Sequence, residues 1–357
     1  MPTSRDPQAP RLDLAGLGLS TAAIGTLVFT IIEAPEVGWA AGRSLAGFAA
    51  AAVLLALFVG WEQRAEPPML DVALFRNLRF TAASGSVTVA FFALFGFAFI
   101  ITQYFQFLKA YSPFGTGIRL LPVAASVAIA SIVGTRLAVR VGNKAVVSTG
   151  LGLIALGFLW VSAASVATPY LELAGQMILL GGGLGLTTAP ATEAIMGVVP
   201  KEKAGIGSAM NDATREVGGT LGVAVIGSVF ASLYASRLAL PASLPAQAAQ
   251  AAKQSVGSAF VAAQQVAHAG LGPAAAQLKA AASSAFFDGF AAGCLVAAGV
   301  AALGAIAAAV LLPAQPIAPQ DHKPPSITDV IEPSPADAPN RPSDDVPDRR
   351  PALTPTH

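Results

Sequence analysis

The stretch GGGLGLTTAPATEAIMGVVPKEKAGIGSAMNDATREVGGTLGVAVIG, Gly181 to Gly227, decides the fold. It reads as the end of one membrane helix, a charged turn at Lys201-Glu202-Lys203, and the start of the next. Glycine and small residues dominate both arms. Between them lie Glu193, Asn211, Asp212, Arg215 and Glu216, the densest polar cluster among otherwise apolar helices. Charge set inside or against a bilayer is costly, so such a cluster is a functional candidate.

Working outward, the whole chain has the same character. Of its 357 residues 54% are hydrophobic and 11% charged, and the mean hydropathy is +0.63. A soluble domain carries about 25% charged residues. Several apolar runs reach the ~20 residues that cross a ~30 Å hydrocarbon core. They are continuous and do not alternate, which argues against a β-barrel. The expected class is an all-α polytopic membrane protein with about eight spans. Hydropathy places them near residues 13–33, 44–62, 80–104, 117–139, 145–166, 171–197, 205–235 and 285–312.

Loop charge sets an orientation. Arg5, Arg11, Arg64, Arg76, Arg79, Arg136, Arg140, Lys144, Lys201 and Lys203 fall on one side. The other side carries Arg43 and Lys109. The first side is expected to be cytoplasmic, in a cell membrane, with both termini there. The segmentation is then 1–12 as a cytoplasmic N-terminal segment, 13–62 as a helix pair, and 63–79 as a cytoplasmic connection. Residues 80–312 form a six-helix bundle with an external loop at 236–284, and 313–357 a proline-rich disordered tail. In the connection, Leu70, Leu74 and Phe75 suit a short helix at the interface. In the external loop, 246–267 and 273–284 suit surface helices, with His268 a solvated loop histidine between them.

Three stripes could carry function. In the third span, Phe92, Phe95, Phe99, Gln103 and Gln106 recur at spacings of three and four. An aromatic face of this kind can hold lipophilic cations, and the amides can orient them. In the sixth span, Gly182, Gly185, Ala189 and Glu193 share a face, with Gly181 and Gly185 a GxxxG pair best read as packing. In the seventh, Ser208, Asn211, Arg215, Gly218 and Gly222 do. Glu193 and Arg215 fall at one depth, so a contact between them would join adjacent helices at the cytoplasmic mouth. Its competitor is Asp212, three residues from Arg215.

Other chemistries lack support. There is no nucleotide loop, metal-ligand spacing or nucleophile–base pattern, so no cofactor and no enzyme activity are expected. No basic patch with interleaved aromatics suggests nucleic acid. The single cysteine, Cys294, lies in an apolar run and has no partner in the chain for a disulfide.

Four stretches carry a resemblance: GWAAGRSLAGF from Gly38, PPMLDVALFRNLRF from Pro67, GIRLLPVAASVAIASIVGTRLAVRVGNKAVVSTGLGLIALGF from Gly117, and the stretch from Gly181. They resemble the major facilitator superfamily, in particular the fourteen-helix drug:proton antiporters of the EmrB/QacA type. The resemblance implies that the first two spans are that family's extra central pair and the other six its C-terminal bundle. It implies export of small lipophilic or cationic compounds against protons. The loop from Gly134 to Lys144 resembles the family's cytoplasmic basic motif and keeps Arg136, Arg140, Gly142 and Lys144. Val139 stands where an acid often sits.

Two expectations follow about the assembly. An N-terminal six-helix half is absent from this sequence, and the spans carry acids only near their ends, at Glu33, Glu193 and Asp288, with Asp13 at the first boundary. The proton carrier is expected on residues outside this chain, on a separately encoded or missing half. A homodimer of inverted halves does not fit, since both copies would insert with the same loop-charge orientation. The second reading is a non-transporting membrane protein, a remnant half that associates with another transporter subunit.

Overall fold

The computed structural model describes residues 13–65, 72–199, 204–241 and 244–313. The turn at Lys201-Glu202-Lys203, Leu70, the first twelve residues and the proline-rich tail beyond Pro313 lie outside the described residues.

The described chain is an all-α polytopic membrane protein. Its helices are α1 (Leu14–Val37), α2 (Gly42–Glu62), α3 (Leu78–Gln103), α4 (Pro113–Arg119), α5 (Leu121–Val141) and α6 (Asn143–Val161). After them come α7 (Tyr170–Met196), α8 (Ala204–Arg237), α9 (Ala246–Gln254), α10 (Val256–His268) and α11 (Gly272–Leu311). Among the described residues seven helices are long and apolar enough to cross a membrane, where the sequence predicts eight. The eighth long helix is α7. At 27 residues it measures about 40 Å, and its glycines and threonines lower its apolarity. It packs against α5, α6 and α3, so much of its surface meets protein.

Local signals set the ends. Asp13 caps α1 by accepting from the Ala15 and Gly16 N–H groups at 3.1 and 2.9 Å. Asn77 caps α3 through the Arg79 N–H. Gly142 turns the chain from α5 into α6 at φ 87°, a conformation open to glycine and strained for other residues. The interface helix expected around Leu70–Phe75 is a single 3₁₀ turn, Val72–Arg76, whose Phe75 meets Phe80 edge-on at 5.3 Å.

The bundle has two layers. In front, α5, α7, α3 and α8 follow one another; behind, α11 bridges α6, α8 and α3, and α6 backs α7. Glycines set the spacing of the layers. A Cβ on Gly183 would lie 2.5 Å from the Gly150 carbonyl oxygen, and one on Gly150 2.7 Å from that of Gly183. Gly181 and Gly185 admit the α5 backbone at Val123 and Val127 in the same way. The α1–α2 pair lies to one side, with α1 on α8 and Ser228 Oγ donating to the Ile31 carbonyl at 2.7 Å.

The end opposite the Arg136–Lys144 loop departs most from expectation. Residues 272–311 form one 40-residue helix, so the helix that carries the last span starts well before residue 285. The preceding α9 and α10 are more than surface helices: Ala252, Val256, Ala259 and Ala262 are buried. Tyr234 Oη donates to the Ala252 carbonyl at 3.0 Å, and Gly257 lies against the Phe107 ring. Ser255, at the break between them, caps α10 through the Ser258 N–H. His268 ends α10 and is exposed.

Candidate functional site

The polar cluster collects at the end of the bundle that carries Arg136, Arg140 and Lys144, which we call the basic end. The seam between α3 and α8 brings it to the front. Gly218 lies against the Thr88 backbone and Gly222 against that of Phe92, so the helices touch main chain to main chain. Thr88 Oγ1 donates to the Ser84 and Thr214 carbonyls at 3.0 and 3.3 Å. This close approach places the next residues of α8, Asn211 and Arg215, beside α7 and over the front of α3.

Asn211 is buried at 5% exposure, where an amide needs partners. With its oxygen toward Arg215, it accepts from Nε at 3.3 Å and Nη2 at 3.1 Å, and donates to Thr192 Oγ1 at 3.1 Å. Arg215 Nη2 also reaches Thr192 Oγ1 at 3.3 Å. The link from α7 to α8 is therefore Thr192–Asn211–Arg215. The expected contact of Glu193 with Arg215 is not formed. Arg215 pairs with Asp212 at 3.8 Å, one turn away on its own helix. Glu193 is exposed and its carboxylate lies against the Thr135 hydroxyl of α5. Helical phase separates the two: Thr192, not Glu193, turns toward Asn211 and Arg215 of α8.

The Arg215 guanidinium also lies 5.3 Å from the centre of the Phe91 ring. Phe91 stacks on Phe95 at 6.2 Å with an interplanar angle of 29°. Phe95 covers Gly219 and Phe99 covers Gly227, at positions where a Cβ would sit 3.1 and 3.3 Å from the rings. Phe95 and Phe99 are 43% and 36% exposed, and they continue the row along the front of the seam. The result is an aromatic ladder, Phe91–Phe95–Phe99, with a guanidinium at its basic end.

The expected stripe on the third span is only partly this ladder. Phe92 is buried against α8 and does not line the front. Gln103 Nε2 turns back to the Phe99 carbonyl at 3.5 Å, and Gln106 lies half-exposed in a π-helical turn, Tyr104–Leu108. Phe91 was outside the expected set. An aromatic pair at i, i+4 with an arginine on the facing helix was the signal for it.

On the basic loop, Arg136 and Arg140 are exposed and Lys144 is half-exposed. Between Gly142 and Lys144, Asn143 is buried and donates from Nδ2 to the Pro190 carbonyl at 3.2 Å. The loop is thereby tied to α7 at the proline that interrupts its hydrogen-bond ladder, two residues before Thr192. Among the described residues no group of three or more His, Cys, Asp or Glu could hold a metal ion. The chemistry on offer is stacking, cation–π attraction and hydrogen bonding at an apolar face.

No family model matches the chain. It is similar to the multidrug resistance protein Stp of Mycobacterium tuberculosis, 37% identical over 222 residues that make up 62% of this chain and 41% of that protein. It is also similar to the multidrug efflux pump LfrA of Mycolicibacterium smegmatis, 30% identical over 298 residues, 84% of this chain and 58% of the pump. A methylenomycin A resistance protein of Streptomyces coelicolor is 31% identical over 222 residues, 62% of this chain and 47% of its own length. The chain thus spans about half the length of these relatives.

Proposed function

We propose that this chain forms the C-terminal portion of a drug:proton antiporter of the major facilitator superfamily, of the fourteen-helix type. In this reading α1 and α2 are the central pair, and α3 to α11 are the C-terminal bundle. The front layer lines one wall of a path for lipophilic, often cationic, compounds. A second six-helix bundle supplies the other wall and the proton carrier, and transport is a rocking of the two around a site between them. The basic end faces the cytoplasm.

The observation that carries the reading is the exposed aromatic ladder on the front of the α3–α8 seam, in a chain similar to multidrug efflux proteins. Aromatic rings set at a membrane surface beside few charges suit flat, lipophilic guests. At the basic end, Thr192–Asn211–Arg215 and Thr135–Glu193 form contacts that can exchange as the mouth opens.

The test is efflux of ethidium from cells. The chain alone is expected to export none. Co-expression with the part of a relative such as Stp that this chain does not match should give export that collapses with the proton gradient. Replacing Phe95 by alanine in the pair should lower it at least several-fold. Proton-dependent export by the lone chain would overturn the assignment of the carrier to another bundle, and no export from the pair would sink the transporter reading.

A further inference from the structure

Arg215 occupies a position that the proposed substrates would want. Its guanidinium carbon is 5.3 Å from the Phe91 ring centre, within the ~6 Å reach of a cation–π contact. Its side chain is 35% exposed, and Phe95, stacked beside Phe91, is 43% exposed. The same guanidinium donates to Asn211 and Thr192 and so closes the link between α7 and α8. A carboxylate borders the position that the Arg215 guanidinium holds. Asp212 is one turn away, Glu216 adjoins it, and Glu193 neighbours Thr192. An aromatic face that already holds a guanidinium, with a carboxylate one helical turn from it, suits an organic cation.

We infer that Arg215 is a tethered stand-in for a lipophilic cation: a cationic substrate takes the Phe91–Phe95 face by displacing the guanidinium, and this displacement opens the Thr192–Asn211–Arg215 link between α7 and α8. The inference rests on the proposed drug-transport reading and deepens it. It fixes the favoured guest as a delocalised or quaternary cation and makes its arrival the event that loosens the basic end. No bond forms or breaks in the exchange; one weakly hydrated cation replaces another on the same ring face.

The experiment measures binding of tetraphenylphosphonium to the purified full chain in phosphatidylcholine nanodiscs, with empty nanodiscs subtracted. Triphenylphosphine oxide serves as the uncharged control. Arg215→Gln frees the ring and should tighten tetraphenylphosphonium binding by about five-fold, roughly the worth of one exposed-to-partly-buried cation–π contact. Arg215→Lys keeps a competing cation and should leave affinity within about two-fold, and the uncharged control should not gain in either variant. Phe91→Leu in the Arg215→Gln background should cancel the gain, because it keeps apolar bulk and removes the ring. In the unsubstituted chain, tetraphenylphosphonium should speed amide exchange in residues 205–216.

Unchanged or weaker cation binding in Arg215→Gln overturns the inference. So does a gain that survives Phe91→Leu, which would be simple removal of positive charge. The two readings fail separately. Export by the paired halves without the Arg215→Gln gain removes the stand-in alone, and the gain without export removes only the transport reading.

Discussion

The two ends of the bundle are held shut by different chemistry. At the end away from the basic loop, contacts are short and run from charged or phenolic donors to main-chain carbonyls. Lys109 Nζ donates to the Val166 and Thr168 carbonyls at 2.6 and 2.7 Å, and Tyr104 Oη to the Ser165 carbonyl at 2.8 Å. Arg119 lies 3.9 Å from the Tyr111 ring centre, and the Tyr170 hydroxyl donates to the Arg119 carbonyl. Buried Tyr104, Phe286, Phe290 and Phe230 pack beneath, and α9 and α10 fold over them. At the basic end Asn143 ties its loop to a carbonyl of α7, but the link from α7 to α8 and the ion pair beside it run between side chains, at 3.1 to 3.8 Å, and Arg215 and Asp212 remain partly or largely exposed. Main-chain acceptors do not move without their helices; side-chain partners can be exchanged one for another. The difference assigns rigidity to one end and exchange to the other.

The comparison breaks if Lys109 proves dispensable. Lys109→Ala removes two charge-assisted hydrogen bonds and should cost about 2 kcal/mol, read as a lower Tm of the detergent-solubilised chain. Arg215→Gln should cost under about 1 kcal/mol by the same measurement, since its ion pair is long and screened and Asn211 keeps Thr192. A larger loss at Arg215 than at Lys109 would reverse the assignment of the rigid end.

The smallest effect lies on the α1–α2 pair at the basic end. The Gly16 N–H first, with the Trp61 indole and the Ala15 N–H adding to it, holds the Asp13 carboxyl below its usual range; desolvation, second in size to Gly16, opposes them and is outweighed. A lowered folded pKa means that this contribution to stability is complete above the unfolded value. It is lost as pH falls through the folded one. In a chain with Trp39 and Trp160 replaced by phenylalanine, Trp61 emission should shift only on acidification below about pH 4. Asp13→Asn should remove that step. A midpoint above the ordinary aspartate range would contradict the capping geometry.

Much of this was legible in the sequence, because bilayer thickness fixes the length of an apolar run and glycine periodicity marks close helix approach. Along the stretch from Gly181 to Gly227, the glycines of both arms pack against neighbouring backbones, as their spacing suggests. What escaped was phase. Glu193 and Thr192 are neighbours, and sequence depth alone could not say which faced α8. Phe91 was passed over because the regular spacing ran through Phe92, which the α3–α8 crossing buries against Gly222. The join of residues 272–284 to the last span was hidden by their alanine-rich sequence, which favours a helix without saying where the bilayer begins. Asn143 gave no signal, since its partner is a carbonyl 47 residues away.

The glycine contacts between α6 and α7 have a thermal consequence. Where Gly150 meets Gly183, main chain rests on main chain, and neither glycine has a rotamer to freeze when the surfaces join. Most side-chain interfaces surrender conformational freedom on closing, a penalty that grows with temperature. The two glycines surrender none. At this point of contact the adhesion of α7 to α6 should therefore vary less with temperature than the side-chain network of the basic end does.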